Sequence, residues 1–133
     1  MQALTFIILN ESFNLHHLKP GVAIPKTVFD CAFYSITSTH DEISILVPEN
    51  VKIDANKTEH GWRALKVAGQ LDFSLTGILA GIAATLSEAG ISIFALSTYD
   101  TDYILVKNER LLSACAALIA AGHHFSPTTL NPE

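Results

Sequence analysis

Charge is sparse in this 133-residue chain. Only 16% of its residues are charged, with eight Lys and Arg against thirteen Asp and Glu, so the formal net charge is -5. The basic residues stand singly, no two adjacent, and offer no stripe with which to neutralise a phosphate backbone. Nucleic acid is therefore not an expected partner. Long apolar runs are also missing. The longest, Ile78 to Leu86, is interrupted by Gly81 and Thr85 and falls well short of the ~20 residues of a spanning helix, so no membrane partner is expected. Cysteine is limited to Cys31 and Cys115, which form no CxxC pair and sit among apolar neighbours. Both are expected to be buried, reduced thiols of a cytoplasmic protein. The N-terminal Met1–Thr5 segment has no positively charged stretch or cleavage pattern, which agrees with that location.

Catalytic signatures are absent as well. The chain contains no GxSxG, P-loop or HExxH sequence. His16-His17 and His123-His124 are adjacent pairs, and neighbours share neither a helix face nor a strand face, so they lack the spacing of a zinc site. No metal, cofactor or enzymatic activity is expected, and the histidines read as solvated or edge residues.

What the chain does have is aliphatic residue, with 49% hydrophobic content in a length that suits one domain or two small ones sharing a core. Trp62 to Ala68 alternates like a half-buried strand. A helical stripe follows, with Leu75, Ile78, Leu79, Ile82, Leu86 and Ala89 on one face, Ser74 as N-cap and Gly90 just past the end. Ile91 to Thr98 reads as a strand, with Ile91, Ile93 and Ala95 on one face and Phe94 and Leu96 on the other. The polar Tyr99–Asp102 turn precedes a strand at Tyr103–Val106. Asn108 caps a second helix over Glu109–Ala121, with Leu111, Leu112, Cys115, Leu118 and Ile119 as its stripe, and His123–Phe125 supplies an edge strand. This β-α-β-β-α-β order is the ferredoxin-like α+β arrangement.

The first half repeats part of the pattern. Cys31–Ser38 aligns with Ile91–Thr98 at an offset of sixty, and Ile45–Val47 with Ile104–Val106 at fifty-nine, which makes the first turn one residue shorter. Leu4–Asn10 opens this copy as a strand. Pro20, Gly21 and Pro25 limit the following stretch to a short helical turn, so the first copy has a reduced helix. Asn50–His60 reads as a polar linker. Two packed ferredoxin-like units are expected, over residues 1–60 and 61–133, with the last strand available to complete the sheet of the first.

The segments Asp72–Ala80 and Gly90–Val106 resemble an ACT domain, and more narrowly the small tandem-ACT proteins related to the regulatory domains of aspartate kinase and to amino-acid sensors of the CASTOR type. Tyr34–Thr39 and Glu42–Pro48 extend the resemblance into the first half. It implies a non-enzymatic regulatory protein that binds an amino acid where ACT units meet. It also implies a site built from Ser74, Leu75, Gly77, Ile78 and Leu79 on one side and Thr98, Tyr99, Thr101 and Asp102 on the other.

Physical chemistry is consistent with that implication. A helix starting near Ser74 offers unpaired N–H groups to a carboxylate, Gly77 leaves room for close approach, and Asp102 offers a carboxylate to an ammonium. The same residues have plainer readings. Asp72 and Ser74 serve equally as caps, Asp100 and Asp102 as turn residues bonding their own backbone, and Gly77 as a helix-packing glycine. The alternative function is a homodimerisation or enzyme-docking module with no small ligand. The sheet face carrying Phe94 and Leu96 must pack on something, and edge-to-edge pairing within the chain or in a homodimer would answer that need.

Overall fold

The computed structural model describes residues 2–69 and 76–127. Strand β1 (Thr5–Leu18) is followed by a 3-10 turn at Lys26–Asp30, then β2 (Ser35–Ser38), β3 (Ile43–Pro48) and β4 (Lys57–Val67). Helix α1 (Ile78–Glu88), β5 (Phe94–Ser97), β6 (Asp102–Lys107), a second 3-10 turn at Asn108–Arg110, α2 (Leu111–Ala120) and β7 (His124–Phe125) complete the order. The strands form one sheet in the order β2-β3-β1-β4-β6-β5, and β7 lies parallel to the start of β1. From β4 onward the elements follow the ferredoxin-like β-α-β-β-α-β order, with both helices on one face of the sheet and β7 added on β1 rather than on β4.

The opening strand is longer than the sequence suggests, and this changes the architecture. β1 continues past Asn10, where Phe13 and Leu15 take one face of the sheet and Leu18 the other, each in an apolar cluster. Its first part pairs with β4 and β7, while its second part pairs with both β4 and β3. The expected linker is correspondingly shorter, because Lys57–His60 is already strand: Lys57, Thr58 and Glu59 pair with His17, His16 and Leu15.

The two hairpins superimpose in register at a uniform offset of fifty-nine, since Ser35 faces Leu46 as Phe94 faces Leu105. The mixed offset of sixty and fifty-nine is corrected by this pairing, and the two turns have equal length. Opposite Leu46 and Leu105 stand Leu15 and Ala64, so β1 and β4 are equivalent at an offset of forty-nine. On that equivalence Phe13 corresponds to Trp62, and these two residues are also direct cross-strand partners. A local two-fold axis therefore passes between them.

The sheet is strongly coiled. In a flat sheet β2 and β6 would lie about 19 Å apart, four strand spacings of about 4.8 Å. Yet Phe33, two residues ahead of β2, meets Tyr103 of β6 with ring centroids 4.7 Å apart, and meets Phe13 at 5.3 Å. Register shifts in the β1–β4 pairing, between Ile8 and Ser12 and between Phe13 and Leu15, add the twist that closes the sheet into a half-barrel. Asn14 steadies the second shift by accepting a hydrogen bond from the Gly61 N–H (3.2 Å).

Three apolar clusters follow from this shape. Beneath α1 and α2 lie Phe6, Leu65, Ile104, Ile82, Leu86 and Leu118. On the same face of the first half, Ile43, Ile45 and Val47 are covered by Ile24, by Val28 of the 3-10 turn and by the segment holding Val51, Ile53 and Ala55. No α-helix occurs before Ile78 among the described residues. The concave, helix-free face collects Phe13, Leu46, Trp62, Ala64 and Leu105, with Phe94 and Leu96 packed beside them.

The helices depart from the sequence reading in detail. α1 starts at Ile78 with Gly77 as its N-cap, later than a Ser74 cap implies, and Gly77 has φ of 79°. Ser74 and Leu75 lie outside the described residues. α2 buries Ala114 and Leu118, whereas Leu112 is 84% exposed and Ile119 57%. The 3-10 turn at Asn108–Arg110 sets the rotation of α2, and its small Ala114 lies closest to the sheet, turning Leu112 and Ile119 outward. Neither cysteine is fully buried. Both are free and half-exposed, and burial is the main cause that raises each thiol's pKa.

Two histidines are core residues rather than solvated or edge ones. Nδ1 of His16 lies 2.8 Å from the Thr58 hydroxyl. Nδ1 of His123 accepts the backbone N–H of Leu4 (3.0 Å) and is thus neutral at that atom, tying the end of α2 to the first strand. Burial lowers the pKa of His123, and His124 lowers it further. Burial likewise lowers that of His16, with His60 adding to the effect.

Each helix ends on a glycine with positive φ, Gly90 and Gly122, whose N–H and that of the next residue close back on the helix. The Gly90 N–H donates to Ser87 O and that of Ile91 to Leu86 O, both at 2.9 Å. Gly90→Ala should lower unfolding stability in urea by about 1 kcal/mol, through backbone strain alone, because nothing lies within 4 Å of an added Cβ. The two depressed histidines make stability pH-dependent. Their contribution is complete above the unfolded pKa of about 6.5, and is lost as pH falls below it towards the folded values. Tm measured from about pH 8 down to pH 5 should therefore hold and then fall, with a shallower fall in His123→Gln.

Candidate functional site

The β5–β6 hairpin carries four of the nine expected ligand residues, Thr98, Tyr99, Thr101 and Asp102. Its turn is closed by the Thr98 N–H donating to Thr101 O (2.8 Å), and the Thr98 hydroxyl donates to the same oxygen (3.0 Å). In return the Thr101 N–H donates to Thr98 Oγ1 (3.2 Å). Below the turn, the Ser97 hydroxyl donates to Asp102 Oδ1 at 2.6 Å, the short distance of a hydrogen bond to a carboxylate. Asp102 is half-buried, while Tyr99 at the tip is 77% exposed. The turn is fixed to the rest of the fold by Thr101, which is buried and donates its hydroxyl to Val67 O (2.8 Å), the last residue of β4.

That bond brings the turn against the point where the chain leaves β4 for α1. Of the residues on the helix side, Gly77 is exposed at the N-cap, Leu79 is half-buried and Ile78 belongs to the core. Thr101 and Ile78 are thus interior residues that hold the turn and seat the helix. Thr98, Tyr99, Asp102 and Gly77 are the ones with surface to present.

The same turn is built a second time. At the offset of fifty-nine, Thr39 stands for Thr98 and Glu42 for Thr101. The Thr39 N–H donates to Glu42 O (2.9 Å), and the Glu42 N–H to Thr39 Oγ1 (3.2 Å). Sequence alignment at offset sixty placed this match one residue out, because a turn's hydrogen bonds leave no mark on hydropathy.

A second concave region, without a sequence signal, lies on the helix-free face. A cavity of about 230 Å³ lies between the two edge strands, bounded by Ser35 and Thr37 of β2 and by Phe94 and Leu96 of β5, with Leu15 and Leu46 beneath. A cavity of about 250 Å³ abuts it and shares Leu15, Glu42 and Ser44. Residues from β2 and β5 meet there only because the sheet coils. Among the described residues no group of three or more His, Cys, Asp or Glu could hold a metal ion, and no helix is long and apolar enough to cross a membrane.

A family model described as "ACT domain" aligns with residues 57–120. Residues 57–120 belong to the ACT-domain family. A crystal structure of an Agrobacterium tumefaciens protein is 32% identical, covers 98% of each chain and superimposes with a TM-score of 0.89. The ligand-free regulatory subunit of aspartate kinase from Thermus thermophilus shares the fold at 12% identity, with a TM-score of 0.65 over 91% of this chain and 99% of that one. Among sequence relatives, the human protein CASTOR3P is 37% identical over 61% of this chain and 58% of its own length. The human "Cytosolic arginine sensor for mTORC1 subunit 1" is 29% identical over 61% of this chain and 28% of its own length. The chain thus spans well under two thirds of these two relatives.

Thr101→Val keeps the side-chain shape but leaves Val67 O without its buried donor. It should cost about 1–3 kcal/mol in a urea unfolding measurement, whereas Thr98→Val, on the exposed side of the same turn, should cost less.

Proposed function

We propose that this chain is a non-enzymatic ACT sensor that binds a free amino acid and transmits occupancy through a change in conformation or assembly. Two ACT-type units, residues 1–60 and 61–133, share β1 and β4, and the site lies at the β4–α1 connection and the Thr98–Asp102 turn. The observation that carries this reading is the bond from Thr101 to Val67. It holds the exposed Thr98 and Tyr99 and the half-buried Asp102 beside the end of β4. Asp102 would receive the ammonium, and the N–H groups at the start of α1 the carboxylate. Ser74, Leu75, Gly77, Ile78, Leu79 and Thr101 would shape the pocket around them. The relatives named as an arginine sensor and as aspartate-kinase regulatory subunits support an amino-acid ligand, and the sensor's name supports a cytosolic location.

A homodimer is part of the proposal. Leu112 and Ile119 present an apolar strip on α2 that nothing in the chain covers among the described residues. A second copy would bury it.

A thermal-shift screen of the common amino acids tests the reading. At about ten times its Kd, the cognate amino acid should raise Tm by about 4 °C, and Asp102→Ala should abolish the shift. If none of them stabilises the protein at millimolar concentration, amino acids are not its ligands.

A further inference from the structure

The cavities on the helix-free face do not belong to the turn-and-helix site, and their lining has a chemical order of its own. Glu42 of the β2–β3 turn and Ser44 and Leu46 of β3 fall on this face at alternate positions, and offer a carboxylate, a hydroxyl and an apolar side chain in sequence. Towards β5 the cavity becomes apolar, walled by Phe94, Leu96 and Leu46, with Ser35 and Thr37 on the β2 side. Towards β4 it becomes charged, and Lys57, Glu59 and His17 line the adjoining cavity. Lys107 is 3.1 Å from Glu59, also donates to His60 O (2.7 Å), and lies over the Trp62 ring at 4.9 Å. Glu59 is thus paired, and Glu42 and Lys57 are the charges that face a ligand. Glu42 lines both cavities and stands where they meet.

We propose that this groove is a second small-molecule site, which takes a free α-amino acid with a branched aliphatic or aromatic side chain. The ammonium sits on the Glu42 carboxylate with the Ser44 hydroxyl beside it. The carboxylate points along the charged cavity to Lys57. The side chain fills the apolar cavity between Phe94, Leu96 and Leu46. Three features select this class. A carboxylate and an ammonium on opposite sides of one groove match a zwitterion. The apolar end has no charged residue in its wall apart from Glu42 at the junction, so a cationic or anionic side chain would lose hydration without a partner. Together the volumes fall within the range of small-ligand pockets, about 300–1,000 Å³. The site exists only in the coiled sheet, because Phe94 and Leu96 come from one free edge and Ser35 and Thr37 from the other. Occupancy would therefore bridge the two halves of the chain.

Trp62, the single tryptophan of the sequence, lies on this face with its ring 6.0 Å from that of Phe94, and serves as the reporter. Its fluorescence is followed in the full chain during titration with L-leucine, isoamylamine and 4-methylpentanoate. Saturable binding of leucine is expected, weaker binding of the amine, which lacks the carboxylate, and none of the acid, which lacks the ammonium. Glu42→Gln should weaken leucine binding about tenfold or more, and Lys57→Ala should do so for leucine but not for isoamylamine. No saturable binding by wild type, or leucine affinity unaltered by Glu42→Gln, overturns the assignment. Affinity lost in Asp102→Ala but kept in Glu42→Gln also overturns it, and returns the ligand to the turn-and-helix site. The wild-type ligand series decides the matter even if a variant folds poorly.

Discussion

The pairing of β1 with β4 is the interaction on which the rest of the structure depends. These two central strands carry the local two-fold axis between Phe13 and Trp62, and every other strand joins the sheet through one of them. Neither half has enough strands of its own to bury both faces of its sheet. Joined along β1 and β4, they make one continuous surface with helices on one side of the second half and a concave apolar face on the other. The register shifts in this pairing add the twist that brings Phe33 onto Tyr103. Coiling thus hides Phe13, Trp62, Leu46 and Leu105 without a covering layer of helices.

The covering layer is unequal, and the inequality has a local cause. After β4, apolar residues at helical spacing and glycines at both C-termini allow α1 and α2 to form and stop cleanly. After β1, Pro20, Gly21 and Pro25 remove donors and bend the chain, and a five-residue 3-10 turn is all that forms. Val28 and the segment after β3 do for the first half, with fewer side chains, what two helices do for the second. The duplicated turns at Thr39–Glu42 and Thr98–Thr101 show that the hairpins kept a common geometry while the helices did not.

Chemistry on this scaffold concentrates where chain segments from different places are held together by one or two bonds. Thr101 to Val67 joins a turn to a strand end, and Leu4 to His123 joins the first strand to the end of the last helix. Lys107, placed over Trp62 and against Glu59 and His60, closes one end of the concave face. The buried histidines use one ring nitrogen each, which gives the core a dependence on acidity that its low charge would otherwise not suggest.

Much was legible in the sequence, because it depends on neighbours along the chain. The alternation at Ile93–Leu96 told correctly which side chains face the helices, and the stripe Ile78, Ile82, Leu86 identified the buried side of α1. The terminal glycines of both helices and the absence of a long helix after β1 were readable too, as was the ACT family itself from Gly90–Val106. What depends on distant partners was not. The rotation of α2, which exposes Leu112 and Ile119, is set by a 3-10 turn and by the sheet beneath. His16 and His123 are buried by strands far away in sequence. Above all, the meeting of the β2 and β5 edges over Leu15 and Leu46 arises from the accumulated twist of six strands. Hydropathy along the chain determines which face each residue takes, and tertiary coiling alone decides which faces confront one another.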